Sequence, residues 1–230
     1  MKLFLDTANL DEIREINRWG VLRGITTNPT LVTREERDFL PLVKEICSMV
    51  DGDVSVETAS DDTATLIAQG HDIVQIADNA IVKIAMTPNG LAAVSQLAAE
   101  GIKVNVTLVF SAAQAILAAE AGAYIVSPFL GRLDDIATNG LGVLSDVCEI
   151  YTAQGYETQV LAASLRHPLH VIEAARLGAE IATMPFEVFQ QLVAHPLTDS
   201  GFHRFISDWE RAKPRLGELP SSYQSSQGST

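Results

Sequence analysis

The sequence predicts an α/β protein: a closed TIM-type (β/α)8 barrel with an additional C-terminal helix and a disordered tail. Three observations carry this. Short apolar runs alternate with amphipathic stretches, the unit repeats eight times, and the 230 residues match a single barrel. Repeated βα units demand right-handed parallel crossovers, and eight of them can close on themselves. An open doubly wound sheet is the alternative, but no GxGxxG follows any strand.

Strands are expected at Lys2–Asp6, Leu22–Thr26, Asp53–Thr58, Ile81–Met86, Lys103–Leu108, Ala123–Ser127, Glu157–Ala162 and Glu180–Met184. Helical spacing marks Leu10–Ile16, Phe39–Ile46, Ala112–Glu120 and Val171–Leu177, and several of the intervening helices close on a glycine such as Gly155 or Gly178. Past the last strand, Pro185–Ala194 reads as the final barrel helix and Thr198–Ala212 as an extra one. Phe202, Phe205, Ile206 and Trp209 share a stripe of that extra helix. The stripe suits packing across the barrel or docking onto a neighbouring subunit. Residues 213–230 are rich in Pro, Gly, Ser and Gln without periodicity and read as a flexible tail. The expectation is therefore one domain over 1–212.

Bulk properties narrow the function. With 47% hydrophobic and 20% charged residues the chain is globular, and no apolar run is long enough to span a bilayer. Met1–Asp6 meets an acid too soon for a secretory signal. Cys47 and Cys148 fall inside helical patterns, so reduced thiols and a cytoplasmic location are expected, with a disulfide the lesser alternative. The net charge of −13 repels polyanions, so neither nucleic acid nor membrane is an expected partner. A small anion remains admissible, because salt screens a distant field over about 8 Å while one or two local arginines act directly.

Lys83 is the only charge in the apolar run Ile81–Met86. Such a lysine must find a partner, reach water, or lose its proton. The last outcome gives an amine able to attack a carbonyl and form a Schiff base. Other strands end on polar groups: Asp6, Thr26 running into Asn28, Glu57, Asn105 with Thr107, Ser127 leading to Phe129 and Arg132, and Ser164 followed by Arg166. Strand eight ends in the blander Met184-Pro185. Singly, each is as readily a helix cap or solvated loop residue. Together they would converge at the C-terminal ends of the strands, where barrels keep their chemistry. Two carboxylates beside a lysine suffice for Schiff-base chemistry without a cofactor. Arg132 and Arg166 suit either surface ion pairs or, with Ser164, a substrate phosphate. No metal is expected: His167 and His170 lack a third ligand and read as a solvated helix start, and Asp51-Gly-Asp53 lacks the spacing of a calcium loop.

At these residues the sequence resembles the transaldolase family, in its short single-barrel branch that also contains fructose-6-phosphate aldolases. The blocks that carry the resemblance are Leu5-Asp6-Thr7-Ala8, Gly24–Thr30, Val82-Lys83-Ile84, Asn105-Val106-Thr107 with Phe110–Gln114, Ser127–Arg132, and Ala163–Arg166. The resemblance implies that Lys83 forms the Schiff base, that Asp6 is the acid/base at the carbon–carbon bond, and that Glu57 works with Thr107 through a water. It implies substrate contacts at Thr26, Asn28, Asn105, Ser127 and Phe129, and phosphate contacts at Arg132, Ser164 and Arg166. Glu57 and Phe129 stand where the aldolase branch carries Gln and Tyr, which points to dihydroxyacetone transfer between sugar phosphates; a lyase is the alternative. The implied donors are fructose 6-phosphate or sedoheptulose 7-phosphate, and the acceptors erythrose 4-phosphate or glyceraldehyde 3-phosphate, within the pentose phosphate pathway. A homo-oligomer, a pentamer or decamer, is also implied.

Overall fold

The computed structural model describes residues 1–217. Its elements run β1 (Lys2–Asp6), α1 (Leu10–Asn17), β2 (Leu22–Thr26), α2 (Pro29–Arg34), α3 (Phe39–Met49), β3 (Val54–Glu57) and α4 (Thr63–Val74). They continue with β4 (Ala80–Ala85), α5 (Pro88–Ala99), β5 (Val104–Val109), α6 (Ala112–Glu120), β6 (Ile125–Pro128), α7 (Leu130–Asp134) and α8 (Gly140–Gln154). The chain then forms β7 (Gln159–Ala162), α9 (Pro168–Leu177), β8 (Ile181–Met184), α10 (Phe186–Val193) and α11 (Pro196–Leu216).

All strand pairs are parallel, and β1 to β8 follow one another around a closed barrel, β8 pairing back with β1. The expected (β/α)8 barrel is the observed one. Every expected strand is present, within two residues of its anticipated ends. Several helices start at a side chain that caps them: Asn9, Asp62, Thr87 and Ser111 accept from the first-turn amides of α1, α4, α5 and α6. Gly155 and Gly178 close α8 and α9 in the left-handed conformation, which lets the chain turn back without a Cβ penalty.

Residues divide into two compact units, 1–192 and 193–230. The first is the barrel. In the second, α11 starts earlier and ends later than expected, passing through Pro214 to Leu216. Proline removes one backbone donor only three residues from the end, where the break costs little. Phe202, Phe205 and Ile206 are exposed on it. The expected tail falls largely on residues 218–230, outside the described residues.

Two apolar assemblies hold the barrel. The larger joins the outer faces of the strands to helix residues such as Ile13, Leu42, Leu97 and Leu144. Cys47 and Cys148 are buried in it as free thiols, their pKa pushed up to about 11 by burial, so they behave as small hydrophobes. The smaller assembly is made only by residues at strands or their ends: Phe4, Ile81, Ile125, Leu161, Ala163 and Ile181. It fills the barrel interior as a floor. Gly24 on β2 makes room for this floor, since a Cβ there would lie 2.3 Å from the Phe4 ring and 2.6 Å from the Asp53 carbonyl. Gly24→Ala is expected to lower the urea midpoint by an amount equivalent to about 1–3 kcal/mol with the far-UV spectrum retained.

Candidate active site

Strand side chains alternate with period two, so a step of two from each floor residue stays inside the barrel. From Phe4, Ile81, Ile125 and Ile181 that step reaches Asp6, Lys83, Ser127 and Thr183. The polar groups therefore form a layer directly above an apolar floor, at the C-terminal ends of the strands. Thr26, Ser55, Glu57, Asn105 and Thr107 join it from β2, β3 and β5.

Lys83 sits at its centre, 5% exposed. Its Nζ donates to the Thr27 carbonyl at 2.8 Å and lies 3.0 Å from Glu57 Oε2. The register makes this pairing possible, because β3 and β4 place Glu57 and Lys83 side by side. Of the three fates open to an isolated lysine, pairing is the one observed. Glu57 also lines a cavity of about 1230 Å³ that opens to solvent, bordered by Thr27, Asn28 and Thr58 and reaching Arg37 in the α2–α3 connection and Lys44 on α3.

Asp6 is the second carboxylate. Burial pushes its pKa up, against the opposing pull of Lys83, the Thr26 hydroxyl and Arg132. Thr26 Oγ1 donates to Asp6 Oδ1 at 2.7 Å and stands 2.7 Å from Thr183 Oγ1. With the Thr26 proton committed to the carboxylate, Thr183 is the donor in that second contact. Thr183 is not among the residues expected from the sequence, because β8 ends on the bland Met184-Pro185 and Thr183 lies one residue inside it. The signal was present: Thr183 lies two residues after Ile181 and shares its face.

On the opposite wall, Ser127 donates to Asn105 Oδ1 at 2.6 Å and Asn105 donates to Ser55 Oγ at 3.1 Å. This chain locks the Asn105 amide. Thr107 is fully buried, and its Oγ1 is the only buried side-chain polar atom among the described residues without a hydrogen-bond partner. A buried orphan hydroxyl costs free energy unless a water or ligand meets it. The strand is irregular there: the β5–β6 register slips between Val106 and Val109, and Leu108 takes a positive φ of 58°.

Asn28 follows β2 at the rim and starts α2. Its Oδ1 caps α2 by accepting from Leu31 N–H, and its amide nitrogen faces away from that bond. Phe129 follows β6, packs edge-on to Phe110 at 5.8 Å and carries the Arg132 guanidinium 5.0 Å above its ring. Arg166 is exposed and pairs with Asp135 at 2.7 Å. Ser164 holds a positive φ of 58° and is not a cap; His167 caps α9. The reading of His167 and His170 as a solvated helix start fails for His170, which is buried because α7 folds over it and supplies Asp134.

A (β/α)8 barrel with a buried lysine between two carboxylates on its C-terminal rim defines a class of enzyme-like site built for carbonyl chemistry. The Transaldolase/Fructose-6-phosphate aldolase family matches residues 3–219, and the chain belongs to that family. The chain is 55% identical over 213 residues to a probable transaldolase 1 of Listeria monocytogenes serotype 4b (strain F2365), covering 93% of this chain and 100% of that protein. It is 54% identical to a probable transaldolase of Moorella thermoacetica, over 93% of this chain and 99% of that one. A probable transaldolase of Methanococcus maripaludis (strain C7) is 52% identical over 91% of this chain and 98% of its own length.

The raised Asp6 pKa has a consequence for stability. The folded carboxyl holds its proton more tightly than the unfolded one, so stability is full below about 3.8 and is lost as pH rises through the folded value. Asp6→Asn is expected to raise the thermal midpoint at pH 7 by a few degrees and to lose that advantage as pH falls. Calorimetry across pH checks it; an unchanged or lowered midpoint at pH 7 would show that Asp6 carries no burial cost.

Proposed function

We propose that this protein is a transaldolase, moving a dihydroxyacetone unit from a ketose phosphate to an aldose phosphate through a Schiff base on Lys83. The observation that carries the reading is the buried Lys83–Glu57 contact of 3.0 Å inside a polar layer that also holds Asp6. The relatives named probable transaldolase support the same reading.

Glu57 takes a proton from the Lys83 ammonium, and the free amine adds to C2 of the ketose. A water held between Glu57 and the unpartnered Thr107 hydroxyl then carries the proton that lets the carbinolamine lose water and become an iminium. Asp6 removes the proton from the C4 hydroxyl, the C3–C4 bond breaks, and its electron pair enters the iminium to give an enamine. The aldose phosphate leaves. A second aldose phosphate enters, the enamine carbon attacks its aldehyde to regenerate the iminium, and Asp6 returns the proton to the new alkoxide. Water then adds back to C2, and the carbinolamine collapses to the product ketose phosphate and free Lys83. Burial makes Asp6 a stronger base than an exposed carboxylate, which suits removal of a hydroxyl proton. Thr26, Asn28, Asn105 and Ser127 orient the sugar hydroxyls; Arg132, Ser164 and Arg166 hold the terminal phosphate. No cofactor enters these steps.

Between the two half-reactions the enamine must escape water. Phe129 contributes an aromatic wall, backed by Phe110 and covered by Arg132, with no hydroxyl to place a hydrolytic water. This favours transfer over the aldolase alternative. Fructose 6-phosphate or sedoheptulose 7-phosphate would be the donor, and erythrose 4-phosphate or glyceraldehyde 3-phosphate the acceptor, in the cytoplasmic pentose phosphate pathway. Assembly as a homo-oligomer, a pentamer or decamer, is part of the same proposal; the exposed Phe202, Phe205 and Ile206 support it.

Fructose 6-phosphate with borohydride should leave a reduced three-carbon adduct on Lys83, and Lys83→Ala should lose both adduct and about a thousandfold or more of turnover. An adduct elsewhere sinks the mechanism. Phe129→Tyr should raise cleavage of fructose 6-phosphate without an acceptor relative to transfer. An unchanged ratio would remove the water-exclusion role, and free cleavage as fast as transfer in the unaltered protein would favour the lyase.

A further inference from the structure

The loops after β6 and β7 are stitched together at several points. The Leu130 amide donates to the Ala163 carbonyl and the Gly131 amide to the Ser164 carbonyl, each at 3.0 Å. At Gly131 the approach is so close that a Cβ would lie 2.2 Å from the Ser164 oxygen. Beneath these contacts lies His170, 5% exposed although it stands in the first turn of α9. Both its ring nitrogens are used. Nδ1 accepts from the backbone N–H of Arg166 at 3.2 Å, and Nε2 lies 3.1 Å from Asp134 Oδ2.

That pair of contacts determines the proton's position. A nitrogen accepting from a backbone N–H carries no proton, so the ring is the neutral tautomer with its hydrogen on Nε2, donated to Asp134. Burial favours this neutral form, and the neighbouring His167 and Arg166 charges act in the same direction against Asp134. Asp134 is held in turn, its Oδ1 accepting from the Gly140 amide at 3.0 Å. His167, its ring tilted at 41° to the His170 ring with centroids 3.9 Å apart, caps the helix.

We propose that His170 is a positioning residue that pins α7, with Arg132, to the loop carrying Ser164 and Arg166, and so sets the spacing of the two guanidiniums that receive the substrate phosphate. It touches no reacting atom. The inference rests on the phosphate role proposed above for those residues. A histidine serving only the fold would alter stability without separating phosphate affinity from chemistry; a pin between the two loops separates them.

The test uses the full chain. His170→Phe keeps the ring volume and removes both nitrogens. It is expected to raise KM for fructose 6-phosphate and the inhibition constant of inorganic phosphate together by about tenfold, with kcat within about threefold. Borohydride trapping of unphosphorylated dihydroxyacetone on Lys83 should proceed at the unaltered rate. His170→Gln, which keeps a donor toward Asp134, should recover part of the loss. Asp134→Ala should reproduce the effect, and the double variant His170→Phe/Asp134→Ala should add little to either single change. If His170→Phe does not fold, Asp134→Ala and His170→Gln carry the same comparison. Arg166→Ala is the reference. If it raises KM and the phosphate constant while the His170 and Asp134 variants leave both unmoved, the pin is overturned and the phosphate site stands. If Arg166→Ala leaves both unmoved, the phosphate reading fails and the pin with it.

Discussion

An ammonium inside a barrel is costly unless charge and hydrogen bonds meet it, and the Lys83–Glu57 contact is how this barrel meets that cost. The apolar floor of Phe4, Ile81, Ile125, Leu161 and Ile181 lies just below, so no solvent from that side shares the charge. Glu57 and the Thr27 carbonyl hold Nζ in place. The rest of the layer follows from this pair. Asp6 faces the same cation but is buried enough that its own charge remains unfavourable, and the Thr183–Thr26 chain supplies its hydrogen bond. One carboxylate is thus bound to the lysine, and burial keeps the other basic.

The opposite half of the rim is organised by backbone contacts. The loops after β6 and β7 approach so closely that only glycine fits at Gly131, and the buried His170 meets the exposed Asp134 between them. Phe129 stands between the two halves, against Phe110 and under Arg132. Within the few residues from Ser127 to Arg132 the chain sets an aromatic ring beside one exposed cation, Arg132.

Much of this was legible in the sequence. Parallel strands buried on both faces appear as apolar runs, so all eight were found, and the polar residue ending most of them was visible without coordinates. Thr183 and Ser55 lie inside their strands and not at the ends; period two forward from Ile181 marks Thr183, and period two back from Glu57 marks Ser55. His170 was misread for a different reason. Its burial depends on α7, a five-residue helix with too short a pattern to announce itself.

Order and alternation of elements follow from local propensity and hydrophobic period, which are properties of neighbouring residues. The barrel class and the identity of the polar rim were therefore set by the chain's pattern alone. Partnership is different, because it joins residues far apart in sequence. That Lys83 pairs with Glu57, that Asn28 spends its oxygen on a helix cap, and that His170 bridges two loops all depend on register, closure and approach distance. These are geometric facts of the closed sheet, and no linear spacing encodes them.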